Sequence, residues 1–340
     1  MKKQLVKTTG LLSIVALITA CAQEANVAMN TSEGSSDQKT ISMAHIHGEA
    51  DTVYGSIELL NEGIEEKTDG QIKVENYGES VLGDERELLE LMQNGVVDMV
   101  KVSGAVMENF SHEFSAFSLP YVFEDEDHFF EVMDSDYVDE LYAGLEDVGM
   151  RGITYYDAGA RSFYTVDTPI KHPDDINGLK IRSMNSATQI GTMEALGASP
   201  TPLPAPEVYT GMQQGMIDGA ESNPAPMTEA NHGEVAKHYS FNEHTRVPDF
   251  VVMSADTWDN LSAEEQDIVM EAAQESTEAH NEAWSEEMEA NVEQAKEELN
   301  VEFHYPELEP FREEVEPLIE EYREDPEVAE ILDEFERMAP

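Results

Sequence analysis

Residues 178–186 read GLKIRSMNS, a short apolar strand that runs into Arg182 and then into small polar side chains. Ser186, followed three residues later by Gln189, marks the start of a helix just beyond it. An arginine beside a helix N-terminus can hold an anion in two ways, through unpaired backbone N–H groups and through the guanidinium. The planar guanidinium matches a carboxylate with two parallel hydrogen bonds. Arg161, between YYDAGA and SFYT, is a second candidate. The setting is unusual for this chain. Its 340 residues carry 72 acidic and 19 basic side chains, a net charge of −53, yet residues 151–190 hold five Lys or Arg against four acids.

Catalytic signatures are missing from the sequence. It has no GxSxG, Walker A, HExxH or GxGxxG motif. His112-Glu113 lacks the second histidine that would put two metal ligands on one helical face. His45 and His47 share one face of the first expected strand; hydrogen bonding is the reading preferred over metal binding there. The strong negative charge repels nucleic-acid phosphates and anionic lipid heads, and it suits a surface bathed in salt that screens self-repulsion.

The elements that must position these residues alternate. TISMAHIH (40–47) reads as a strand, and Val53, Ile57, Leu60 and Ile64 recur at helical spacing. QIKVENY is a second strand, Leu88, Leu91 and Met92 mark a helix, and VVDMVKVS is a buried strand. An α/β architecture follows. Met92-Gln93-Asn94-Gly95-Val96-Val97-Asp98 returns as Met212-Gln213-Gln214-Gly215-Met216-Ile217-Asp218. Each copy reads as helix, glycine cap, strand, and each strand ends at a polar tip, Ser103 or Asn223. Two similar lobes whose strand ends face one another would enclose a ligand cleft. From the Ser262/Glu265 capping box to about Leu299 a helical pattern runs without Gly or Pro, long enough to lie across both lobes. Residues 307–338 read as acidic helix broken at prolines.

The N-terminus reads as a secretory signal. Lys2, Lys3 and Lys7 precede an apolar run, Gly10–Ala20, of 11 residues, whereas a membrane span needs roughly 20. Ile18-Thr19-Ala20-Cys21 is similar to a bacterial lipobox, so Cys21, the only cysteine, is expected to carry a lipid. Loss of the signal leaves 16 basic residues against 72 acidic ones, a charge of −56. Residues 22–38 read as a flexible tether.

Together these stretches resemble the solute-binding proteins of tripartite ATP-independent periplasmic (TRAP) transporters, the DctP family. The resemblance is carried by EKTDGQIKVENYGESVLGDERELLELMQNGVVDMVKVS, FSLPYVF, YYDAGARSFYT, LKIRSMNS, ALGASPTPLPAPEVYTGMQQGMIDGAESNP and EHTRVPDFVVMS, in order over most of residues 40–260. It implies a type II-like periplasmic binding protein with two α/β lobes, a closing cleft and a long helix spanning both. We expect residues 39–160 with 248–285 in one lobe and 161–247 with 286–338 in the other. The resemblance puts Arg182 at the family's carboxylate-binding arginine, Arg161 at an assisting one and Asn223 at a ligand contact. GARSFYT and EHTRVPDFVV are similar to the subgroup for sugar acids such as uronates. His45-Ile46-His47 and Lys101 depart from that subgroup's usual pattern. His45, His47, Ser103, Asn185 and Asn223 are the expected hydroxyl contacts.

The implied partners are a small carboxylate and TRAP membrane permease subunits. The implied protein is an extracytoplasmic monomer that needs no cofactor and touches the membrane through its lipid. Rival readings are a binding protein for another organic acid (a C4-dicarboxylate or keto acid), one serving an ABC-type importer, and an extracellular enzyme of sugar-acid metabolism. An unpaired buried arginine would also oppose closure of an empty cleft, so the ligand's charge would drive closing.

Overall fold

The computed structural model describes residues 38–340. The expected signal, Cys21 and residues 22–37 lie outside the described residues. The first part of the chain runs β1 (Lys39–Ala44), α1 (Thr52–Lys67), β2 (Ile72–Tyr77), α2 (Glu85–Gln93), β3 (Met99–Ser103) and α3 (Gly104–Met107). A 3-10 turn at His112–Ser118, then α4 (Glu126–Met133), α5 (Asp136–Gly144) and β4 (Met150–Tyr156), follow. The middle comprises β5 (Arg161–Thr165), β6 (Lys180–Ser183), α6 (Ala187–Ala195), β7 (Ser199–Pro202), α7 (Val208–Gln213), β8 (Gly219–Ser222) and β9 (His238–Thr245). The last part is β10 (Asp249–Ser254), α8 (Ala255–Asp259), α9 (Ala263–Glu298), β11 (Glu302–His304), α10 (Glu309–Tyr322) and α11 (Pro326–Met338).

The sequence repeat is a repeat of topology. One sheet has the order β2-β1-β3-β10-β4, the other β7-β6-β8-β5-β9-β11. In each, three parallel strands meet an antiparallel fourth, β10 against β3 and β5 against β8. Gly95 and Gly215 both have φ +69°, a left-handed turn where a side chain would be strained, so each copy leaves its helix in the same way. Asp98 and Asp218 then do the same job. Their carboxylates accept from the backbone N–H of Ser42 and Lys180, both at 2.8 Å, tying β3 to β1 and β8 to β6.

Alternate residues of the inner strands enter opposite cores. Phe250 and Val252 join one cluster, Val251 and Met253 the other, so the first sheet is covered on both faces. Phe163 and Tyr164 divide in the same way in the second sheet. The capping box of α9 forms as expected, with the Ser262 hydroxyl accepting from the Glu265 N–H at 3.3 Å. This helix has 36 residues, about 54 Å at ~1.5 Å each. Val269, Ala272 and Ala273 pack in the first lobe's core, and Ala295 packs in the second's.

Three details differ from the sequence reading. β1 stops at Ala44, so His45 and His47 lie past the strand. Pro317 falls inside α10 rather than breaking it. It is exposed, as is Glu313, so the carbonyl it frees can be hydrated while Phe311 and Val315 stay buried. Segment 286–338 is shared between the lobes. Val328, Ile331, Leu332 and Phe335 of α11 pack into the first lobe's core, because their apolar stripe fits beside Phe117 and Phe123.

Candidate functional site

The carboxyl ends of the strands meet at a cavity of about 340 Å³ between the lobes, within the usual range of ~300–1,000 Å³ for small-molecule sites. Arg161, Arg182, Asn223, His47 and Ser103 line it. A more open hollow of about 430 Å³ lies beside Arg246. There Arg246 is already paired with Asp157 and Glu126, and the remaining charged lining residues are acids. The first cavity is therefore the better anion site.

Its chemistry starts from strand order. β8 lies between β5 and β6, so Glu221 on β8 falls between Arg161 and Arg182. Glu221 is fully buried and each arginine is 8% exposed. Arg161 donates from Nε to Glu221 Oε2 at 2.6 Å and from Nη2 to Oε1 at 3.0 Å. Nη2 also donates to the Glu221 carbonyl at 2.8 Å. Arg182 is held differently. Its Nε donates to the Leu203 carbonyl at 2.8 Å, and its Nη1 is 4.0 Å from Glu221. Burial opposes the charge on Glu221, but Arg161 together with the neighbouring His244, whose Nε2 is 3.7 Å away, outweighs it and draws the carboxyl down to about 2. Burial and the neighbouring Arg161 lower Arg182, whereas Glu221 more than offsets burial at Arg161 and raises it. Two guanidiniums thus share one carboxylate, leaving one net positive charge aimed at the cavity.

The first lobe presents the opposite balance. Lys101 is 2.6 Å from Asp249 and 3.3 Å from Glu85. Burial would lower its ammonium, but Asp249 and Glu85 hold it above the usual range. Glu85 also accepts from the Ser103 N–H at 3.1 Å. His47 Nδ1 pairs with Asp51, and its Nε2 is buried without a hydrogen-bond partner. Asp51 caps α1 at 2.9 Å from the Val53 N–H, which fixes the imidazole at the cavity wall.

Other expected contacts are arranged differently. His45 is buried behind the wall, its Nε2 2.9 Å from Asn76 Oδ1 and its ring edge-on to Tyr54. Burial and the neighbouring His47 push it down to about 4, so it is neutral. Asn185 is exposed and lines an adjoining hollow, not this cavity. Asn223 spends one amide hydrogen on the Ala158 carbonyl at 2.8 Å. The N-terminus of α6 is occupied by the Glu108 carboxylate, which accepts from the N–H groups of Ala187 and Thr188. Nor are the arginines unpaired, as expected from the sequence, since Glu221 offsets one of their two charges. Glu221, Glu85, Asp51, Asp249 and Glu229 escaped the sequence reading because acids are everywhere in this chain. The sole pointer was that Glu221 directly precedes the Ser222-Asn223 tip.

Residues 43–325 match the model of the family described as bacterial extracellular solute-binding protein, family 7 (DctP). The chain belongs to this family. It is 44% identical over 267 residues to the Salmonella typhimurium protein called "Uncharacterized protein YiiZ", covering 78% of this chain and 82% of that one. The structure of a TRAP periplasmic solute-binding protein from Anaerococcus prevotii, solved with bound D-glucuronate, superposes with a TM-score of 0.85 at 32% identity. It covers 88% of this chain and 98% of that one. A Sulfitobacter sp. counterpart with bound β-D-galacturonate gives 0.84 at 34% identity, covering 87% and 99%. The protein is therefore a TRAP solute-binding protein, extracytoplasmic and non-enzymatic, which binds a small molecule and works with a membrane permease. Among the described residues no helix is long and apolar enough to cross a membrane.

One further group gives this TRAP solute-binding protein a pH signature. Glu229 lines the cavity from the loop after β8, and Asn291 on α9 donates to it at 3.0 Å. Burial, with the Asp51 charge adding, pushes its carboxyl up from 4.5 to about 7. Between those values the folded protein keeps a proton that the unfolded chain has lost, so this group's contribution to stability falls as pH rises through that window. Glu229→Gln, which stays neutral, should melt close to wild type at pH 4.5 and above it at pH 8. Calorimetric scans across pH check this; a gap that does not change with pH would show that Glu229 does not titrate there.

Proposed function

We propose that the protein captures a hexuronate or a related sugar acid, a monocarboxylate with several hydroxyls, and delivers it to a TRAP permease. The observation that carries this reading is the single uncompensated charge at Arg182, whose nearest carboxylate is 4.0 Å away while its Nε is tied to a carbonyl. Arg182 takes the ligand carboxylate and Arg161, anchored by Glu221, assists. His47, Ser103 and Asn223 serve the hydroxyls. Asp51, Glu85, Asp249 and Glu229, when ionised, can only accept hydrogen bonds, which suits hydroxyl donors and repels a second carboxylate. The uronates bound in the Anaerococcus and Sulfitobacter structures support the same class.

Arg182→Ala should lose about 3–5 kcal/mol of binding with the fold intact, and Arg182→Lys should recover little because an ammonium cannot form the fork. Arg161→Ala should lower the melting temperature as well, because it strands Glu221 in the interior. Titration calorimetry and thermal melts separate the two roles; near-normal affinity in Arg182→Ala would remove it from the site.

The ligand class is checked by melting-temperature shifts with D-glucuronate, D-galacturonate, gluconate, succinate, a branched keto acid, ectoine and glucose. The uronates should give the largest shifts. A dicarboxylate or keto acid leaves cavity groups unpaired at about 1–3 kcal/mol each, and glucose leaves Arg182 uncompensated. If succinate, the keto acid or ectoine leads and the sugar acids do nothing, the ligand class is wrong.

The finer placement belongs to the same proposal. Cys21 carries a lipid that holds a monomeric protein at the membrane surface, as the Ile18-Thr19-Ala20-Cys21 pattern supports. Cys21→Ser should move the protein to the soluble fraction of expressing cells with ligand affinity unchanged; two soluble forms would dismiss the anchor.

A further inference from the structure

The sequence assigns the N-terminus of α6 to the ligand's carboxylate, but a carboxylate of the protein itself sits there. Glu108 follows α3 in the first lobe, whereas α6 follows the Arg182 strand in the second. Glu108 Oε1 accepts from the backbone N–H of Ala187 and, at 3.2 Å, from that of Thr188. Its Oε2 accepts from the Thr188 hydroxyl. Next to it, Asn109 Nδ2 donates to the Asn185 carbonyl at 3.0 Å. The Ser103 hydroxyl lies 3.5 Å from the Met184 sulfur. All these bonds join the end of β3 and the segment after it to the segment after β6, which begins two residues past Arg182. Thr188 is wholly buried and Glu108 is half-buried, so water competes only partly for the carboxylate.

We infer that Glu108 is an interlobe latch, whose carboxylate on the N-terminus of α6 holds the Arg182 segment against the first lobe and slows reopening of the loaded cleft. The bonds are charge-assisted and lie at the positive end of a nine-residue helix, where an anion is favoured. They also depend on distance. A hinge motion that widens the cleft by a few ångströms would break all three together. Ser186 continues to cap α6 through the Gln189 N–H at 3.1 Å, so the helix remains formed after the latch lets go. Residue 108 thus sets residence time, while Arg182 sets recognition. The inference rests on the proposed closing of a ligand-filled cleft.

Two measurements test it on the full chain in a Cys21→Ser background. Nitroxide labels at Glu131→Cys on α4 and Thr210→Cys on α7, both exposed positions, report the distance between lobes by pulsed electron paramagnetic resonance. Without ligand, Glu108→Ala should shift that distribution to longer distances. Thr188→Val should do so in part, and the double variant should resemble Glu108→Ala alone. With D-glucuronate, stopped-flow dissociation should quicken about tenfold in Glu108→Ala while association stays near wild type. Unchanged distances together with a lowered melting temperature would make Glu108 a plain helix cap and overturn the latch. If wild type does not bind D-glucuronate, the ligand class fails, and the distance measurement alone decides the latch.

Discussion

The carboxylate of Glu221, buried between two arginines, is the constraint on which the rest depends. A guanidinium without a partner is too costly to keep in a protein interior, and a fully neutralised one has no charge left to offer a ligand. Two arginines on one glutamate meet both conditions. Arg161 takes both oxygens of the carboxylate and Arg182 keeps its distance. The arrangement requires β5, β8 and β6 to be neighbours in that order. That order in turn requires the parallel crossovers through α6 and α7, so the charge of the site is a product of the sheet topology.

The duplicated topology has a further electrostatic consequence. The second lobe offers the cleft two cations against one buried anion, and the first offers Lys101 against Glu85 and Asp249. The walls are of opposite sign and attract across a space where solvent screening is weak. A ligand carboxylate added at Arg182 neutralises one wall, while its hydroxyls can donate to the acids of the other. On the proposed function, closure, affinity and preference for a polyhydroxy acid would come from the same few charges.

The surface follows other rules. The chain carries −53 overall, and salt screens exposed charges within about 10 Å at 0.1 M. Buried pairs such as Arg161 and Glu221 are screened far less, so the binding site can keep its local positive charge inside a very acidic protein. Glu229 lies between the two regimes. It is partly buried and faces Asp51, and so it ties the cavity to pH near neutrality.

By itself, the sequence determined the alternating elements, the paired Gly95 and Gly215 turns, the long capped helix and the two arginines. These are local signals, carried by hydrophobic spacing, glycine conformation and a reversal of charge balance in a single stretch. The positions of Ser103 and Asn223 on the cavity wall were legible too, because strand ends converge in this kind of sheet, and His47 reaches the same wall from just past β1. Only the tertiary structure decided what each arginine is bonded to. It also turned His45 to Asn76 and Asn185 to solvent, sent α11 into the first lobe's core, and seated Glu108 on the helix end that the sequence left open for a ligand. Apart from the exposure of Asn185, each of these depends on a partner between roughly 20 and 220 residues away, and with 72 acidic side chains to choose from, nothing along the chain marks which carboxylate will meet which donor. Burial selects them, since an acid stays in the interior only where the fold supplies its hydrogen bonds.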